Sequence, residues 1–196
     1  MVKLNAFLFQ YMKVDQKLNL CVLTGLPGTG KSTTSDILKS KLGKNWEILH
    51  ADDFNKETFS KYRRGKEKWS EIRQYRPILI ARKAGSCLSQ GKNVLIEGNL
   101  KDETEIKNLF DSIREDFQNN FNLKIILLRG NFEMIVQRCV LYREGEPQYG
   151  GSNKEDNCRR YLNDVSIQVG IANVTVDVDG LDKEEIADEV LKHIDS

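Results

Sequence analysis

One short stretch, Gly25-Leu26-Pro27-Gly28-Thr29-Gly30-Lys31-Ser32, constrains this chain more than any other. It fits Gly-x4-Gly-Lys-[Ser/Thr] and joins the apolar run Leu18–Thr24 to a helix-like stretch from Lys31 to Leu42. Phosphate chemistry explains the residue types. Glycines let the backbone curl until successive N–H groups point inward at phosphate oxygens. The helix starting near Lys31 adds the positive end of its dipole. Lys31 would reach the β- and γ-phosphates of a nucleotide, and the Ser32 hydroxyl would bind Mg²⁺. The motif therefore assigns Gly25, Pro27, Gly28, Thr29, Gly30, Lys31, Ser32 and Thr33 to a nucleotide site.

Two other phosphate-binding patterns are excluded. A dinucleotide fingerprint would need glycine where Thr33 stands. Asn153-Lys154-Glu155-Asp156 and Asp177-Val178-Asp179-Gly180 match GTPase patterns, but in reversed order. The first of these follows Gly150-Gly151-Ser152 and no strand, so Asn153 reads as a helix cap.

Strand-length apolar runs alternate with longer amphipathic stretches. Leu18–Thr24, Glu47–His50, Asn93–Ile96, Leu123–Leu128 and Val174–Val178 read as strands. Helices are expected at Lys31–Leu42, Pro77–Gln90, Glu103–Asn119, Phe132–Tyr142, Lys154–Val169 and Asp182–Ile194. Nearly continuous apolar strands suit a parallel sheet buried on both faces. The expected fold is α/β: a five-stranded parallel sheet with helices on both faces, in three layers. At 196 residues it forms one domain.

Composition narrows the function classes. No run approaches the roughly 18 apolar residues of a membrane span. Residues 1–17 lack the long apolar segment and cleavage site of a signal peptide. Four scattered cysteines without a Cys-x-x-Cys pair, and two histidines in all, do not make a zinc site. The cysteines are read as reduced and the protein as cytoplasmic. A formal charge of +1 leaves no general positive field for nucleic acid. That balance averages a basic first part against an acidic closing segment, so a local basic groove stays open to a nucleic-acid partner.

Acceptor chemistry is expected at the ends of the second and third strands, which face the same crevice as the phosphate loop in a parallel sheet. His50-Ala51-Asp52-Asp53-Phe54 offers a carboxylate to take a proton from an attacking hydroxyl or to hold Mg²⁺. Glu97-Gly98-Asn99-Leu100 offers another. Lys61-Tyr62-Arg63-Arg64-Gly65-Lys66-Glu67-Lys68, followed by Arg73, Arg76 and Arg82, suits an acceptor bearing phosphate or carboxylate.

The phosphate loop together with Asp52-Asp53 resembles the small P-loop kinases: gluconate, shikimate, adenylylsulfate and nucleoside monophosphate kinases, and the kinase domain of phage-type polynucleotide kinase. The resemblance covers Leu18 to the C-terminus as one kinase domain, with residues 1–17 as an N-terminal extension. It implies ATP and Mg²⁺ as cofactors and transfer of the γ-phosphoryl group to a hydroxyl of a small-molecule acceptor, such as a sugar, sugar acid or nucleoside. A polynucleotide 5′-hydroxyl, a nucleoside monophosphate, or a regulatory ATP-binding switch are the alternatives. The sugar-kinase pattern Asp-x-Asp makes Asp53 the base and puts Ala51 at the first Asp. The polynucleotide-kinase pattern, Asp-Asp-aromatic, makes it Asp52.

By the same resemblance Ser32, Asp52 and Glu97 would hold the metal, and Asp53, Arg76, Glu97 and Asn99 the acceptor. A lid at about 143–152 would close Arg143 over the phosphates, with Arg138 near the adenine and Arg159 and Arg160 as further phosphate ligands. The molecule would work as a monomer or homodimer.

Overall fold

The computed structural model describes residues 17–62, 73–99, 103–117, 121–142, 154–164 and 169–194. In chain order the elements are β1 (Leu18–Gly25), α1 (Lys31–Lys41), β2 (Trp46–His50), α2 (Phe54–Tyr62), α3 (Arg76–Ser89), β3 (Asn93–Glu97), α4 (Glu103–Phe117), β4 (Phe121–Arg129), α5 (Phe132–Tyr142), α6 (Lys154–Asp164), β5 (Val174–Asp177) and α7 (Lys183–Ile194). Short 3₁₀ turns at Ala51–Asp53, Arg73–Tyr75 and Val169–Ile171 complete the set.

The strands form one sheet in the order β2-β3-β1-β4-β5, every neighbouring pair parallel. Side chains alternate across its faces, as pleating requires. Leu20, Val22, Val94, Ile96 and Ile125 pack with Ile80, Ala84 and Leu88 of α3 and Leu109 and Ile113 of α4. The intervening Cys21, Leu23, Leu95, Ile126 and Leu128 pack with Leu38 of α1 and Ile186 and Val190 of α7. The sheet is therefore covered on both sides, and the three-layer α/β expectation holds. Burying one such Leu or Ile contributes about 1.5–3 kcal/mol, so neither face is dispensable.

Central β1 pairs with β3 on one side and β4 on the other. Successive connections thus depart to opposite sides of β1, which opens a crevice at its carboxyl end. The phosphate loop begins there.

Most elements fall where the sequence places them. β4 starts earlier than expected, at Phe121, and β1 ends at Gly25. The helix expected over Lys154–Val169 is described to Asp164, with a turn at Val169–Ile171. Helix α2 was not among the expected elements. Its sequence, FNKETFSKY, offers few aliphatic residues to mark a face. Thr58 is fully buried, and its hydroxyl donates to the Phe54 carbonyl at 2.7 Å, which satisfies a polar group inside the helix packing.

Candidate active site

The phosphate loop is shaped by what its glycines make room for. A Cβ on Gly25 would lie 2.5 Å from the Leu128 carbonyl oxygen, so only glycine lets β1 turn out of the sheet this close to β4. Gly28 has φ +90°, and a Cβ there would meet Cys139 Sγ at 3.1 Å. Inside the loop, the Leu26 carbonyl accepts from the Thr29 hydroxyl at 2.8 Å and from Lys31 Nζ at 2.9 Å. Lys31 thus folds back along the loop and is buried with Thr29.

Helix α1 starts from Gly30 in the left-handed conformation, and among the described residues no side chain caps it. The other helix starts bordering this crevice are treated differently. Asn131 Oδ1 accepts from the Glu133 and Met134 N–H groups at the start of α5, and the Asp179 carboxylate accepts from Asn131 N at 2.8 Å. Asp182 Oδ1 accepts from Glu184 N and Glu185 N, while Glu185 Oε2 accepts from Asp182 N, a capping box on α7. Of these three helix starts, α1 is the one whose backbone N–H groups no side chain caps among the described residues.

Beside it lies a cavity of about 540 Å³, lined by Gly28 and Gly30–Thr34, by Arg138 and Cys139 of α5, and by Leu181, Asp182, Lys183 and Ile186 at the start of α7. The volume is that of a small-molecule site. Arg138 donates to the Gly28 carbonyl at 3.4 Å, and Cys139 Sγ to the Pro27 carbonyl at 3.4 Å, so α5 supports the crest of the loop. Helix α6 braces α5 in turn: Cys158 and Leu162 pack on Ile135, Val136 and Cys139. Arg159 is bound bidentately by Glu133, with Nη1 to Oε1 at 2.7 Å, and also by Glu155. These hydrogen bonds hold the Glu133 carboxyl below the usual carboxylate range. Arg159 is engaged in this brace and not on the loop.

On the other side of Ser32 stands Glu97, the last residue of β3, buried to 6% exposure. The Ser32 hydroxyl donates to Glu97 Oε1 at 3.2 Å, and His50 Nδ1 meets Glu97 Oε2 at 3.0 Å. Mg²⁺ prefers hard oxygen donors, and a hydroxyl and a carboxylate meeting beside the cradle make such a set, so these residues fit it.

Asp52 and Asp53 lie in the 3₁₀ turn after β2, not on the extended chain expected of a strand end. The turn is pinned to β3: a Cβ on Gly98 would fall 2.4 Å from that of Ala51. Asp52 is exposed, and the buried Arg76 approaches it at 3.5 Å. Arg76 also reaches Asn55 Oδ1 at 3.5 Å and the Asn99 carbonyl at 3.3 Å. Asn99 Oδ1 is itself buried with no hydrogen-bond partner among the described residues. Asp53 is exposed, and among the described residues no hydrogen bond or ion pair engages it.

The structure thus brings Lys31, Ser32, Glu97, Arg76, Asn99 and Asp52 to one edge of the sheet, with Arg138 on the nucleotide side. Arg143, the lid at 143–152 and the basic residues from Arg63 to Lys68 lie outside the described residues. Sequence reasoning missed His50, Asn55 and Cys139. The one signal for His50 was its rarity: it is one of two histidines, placed at a strand end.

A parallel sheet ordered 2-3-1-4-5 with a phosphate loop after its central strand defines a P-loop kinase fold. The chain superposes on a gluconokinase of Sinorhizobium meliloti with TM-score 0.62 and 17% identity, over 92% of this chain and 93% of that one. It matches a Mycobacterium tuberculosis APS kinase, solved with AMPPNP and APS, with TM-score 0.64 and 12% identity, over 92% and 99%. It also matches a shikimate kinase of Acinetobacter baumannii, solved with shikimate, with TM-score 0.57 and 20% identity, over 90% and 93%. No curated protein sequence matches the chain. The Zeta toxin family model matches residues 9–191, and the chain belongs to that family. Among the described residues no helix is long and apolar enough to cross a membrane.

The contact between Gly98 and Ala51 gives a direct check on how the two edges are joined. Gly98→Ala is expected to lower the unfolding free energy by about 1–3 kcal/mol through overpacking. Urea denaturation measures it, and Ala51→Gly in the same chain should recover part of the loss. A Gly98→Ala protein as stable as wild type would contradict the contact.

Proposed function

We propose that this protein is an ATP-dependent kinase that transfers the γ-phosphoryl group to a hydroxyl of a small acceptor, a sugar, sugar acid or nucleoside-like molecule. The observation that carries this reading is the placement of Glu97, whose carboxylate meets Ser32 of the phosphate loop and His50, the residue that leads into the turn bearing Asp52. The P-loop kinase fold and the family membership support it.

In this reading the loop N–H groups and the start of α1 hold the β- and γ-phosphates, and Lys31 swings from the Leu26 carbonyl onto them. Ser32 and Glu97, with Asp52 as a further candidate, would hold Mg²⁺, which neutralises charge on the phosphates. Arg138 flanks the nucleotide on the α5 side, and Arg143 of the proposed lid closes over the phosphates and excludes water.

Asp52 is the better candidate for the base that takes the acceptor's proton. Arg76 and Asn55 both reach its Oδ1 and orient it, whereas Asp53 has no such support among the described residues. Asp53 then serves the acceptor's remaining hydroxyls. Arg76 and Asn99 offer a buried cation and a buried acceptor oxygen, which suit a substrate that combines an anionic group with hydroxyls. One domain from residue 18 onward, preceded by a short extension, accommodates all of these parts.

Lys31→Ala should lower acceptor-dependent ATP consumption by about 100-fold or more. The family's name adds a consequence: expression of the active chain would arrest its host cell, and the Lys31→Ala chain would not. Unchanged ATP consumption in Lys31→Ala contradicts the kinase reading. A second comparison addresses the base. Asp52→Asn should lower kcat by about 10²–10⁴-fold, and Asp53→Asn should chiefly raise KM for the acceptor. Equal, mild losses in both would remove the base assignment.

A further inference from the structure

We infer that His50 is a positioning residue of this site, fixing the Glu97 carboxylate in the one orientation that serves Ser32 and the Asp52 turn together. The inference rests on the kinase reading and deepens it. His50 and Glu97 are partners in the register of β2 on β3, so their side chains emerge side by side at the carboxyl edge of the sheet. A carboxylate oxygen accepts and does not donate, so the contact of 3.0 Å places the imidazole proton on Nδ1, donating to Oε2. Oε1 accepts from Ser32 at 3.2 Å. Each oxygen of one buried carboxylate thereby has its own donor.

The torsion that turns a carboxylate about its last bond is broad and roughly twofold. With Ser32 alone, Glu97 could turn its oxygens away from the phosphate loop. A second donor on the other oxygen removes that freedom. Side chains that orient a metal-binding group from behind carry much of its affinity. His50 is also joined by the chain itself to Ala51, Asp52 and Asp53, and Ala51 is seated against Gly98, next to Glu97. The imidazole thus joins Glu97 to the segment that carries Asp52. It ties the nucleotide edge of the site to the acceptor edge.

The test compares wild type with His50→Leu, which cannot donate, and His50→Asn, whose amide nitrogen takes nearly the place of Nδ1. Affinity for AMPPNP is measured by calorimetry with Mg²⁺ and again with EDTA, alongside separate kcat and KM values. His50→Leu should keep wild-type affinity in EDTA, lose about tenfold of the gain that Mg²⁺ confers, and lose kcat by about tenfold at little change in KM for the acceptor. His50→Asn should recover most of both. Should His50→Leu fail to fold, His50→Gln replaces it, its amide one methylene too far to reproduce the contact, with the same losses expected.

A non-donating variant with wild-type Mg²⁺ gain and kcat overturns the inference. So does an equal loss of affinity in EDTA and Mg²⁺, or a folded His50→Asn protein that recovers nothing. A wild-type chain that binds no AMPPNP in either condition defeats the kinase reading together with this inference, whereas binding that is indifferent to His50 defeats the inference alone.

Discussion

A single buried carboxylate, that of Glu97, sets the geometry of this site. Moving a carboxylate out of water costs several kcal/mol unless hydrogen bonds replace its hydration. Here Ser32 supplies one and His50 another, from two different segments. Each of those segments is fixed by the sheet: β3 lies between β1, which delivers the phosphate loop, and β2, which delivers the Asp52 turn. The strand order therefore does chemical work. Placing β3 beside β1 brings the acid to the phosphate loop, and placing β2 outside β3 brings the turn bearing Asp52 to the same edge.

Sequence reasoning reached the fold because its signals are local and strong. Apolar strands buried on both faces leave nearly unbroken runs, as in Val94-Leu95-Ile96 and Ile125-Ile126-Leu127-Leu128. The phosphate loop announces itself through glycines that have no alternative: Gly25 presses on Leu128, and Gly28 is held at a positive φ over Cys139. Less was legible where function depends on contacts between distant segments. His50 and Glu97 are 47 residues apart and meet only through the register of two strands. The role of Gly98 is spatial, admitting Ala51 from a different strand's end. Helix α2 went unread because Thr58 and Phe54 carry its inward face, with no aliphatic stripe.

The nucleotide side and the acceptor side are built with different economies. The loop and the start of α1 present backbone groups, which any sequence with the right glycines provides, and α5 holds them in place through Cys139 and Arg138. The fold that carries this loop is matched by a gluconokinase, an APS kinase and a shikimate kinase at 12–20% identity. The proposed acceptor side is made of side chains, Asp52, Arg76, Asn55 and Asn99, arranged around a buried guanidinium.

The most direct test of the proposed arrangement is a crystal structure of the protein with AMPPNP and Mg²⁺. The triphosphate is expected in the cavity beside α1, with its β-phosphate against the N–H groups of residues 28–32. Ser32 should have turned from Glu97 to the metal, while His50 stays on Glu97. A nucleotide bound elsewhere, or one bound in the cavity with the Ser32–Glu97 contact intact and no metal between them, would contradict the account.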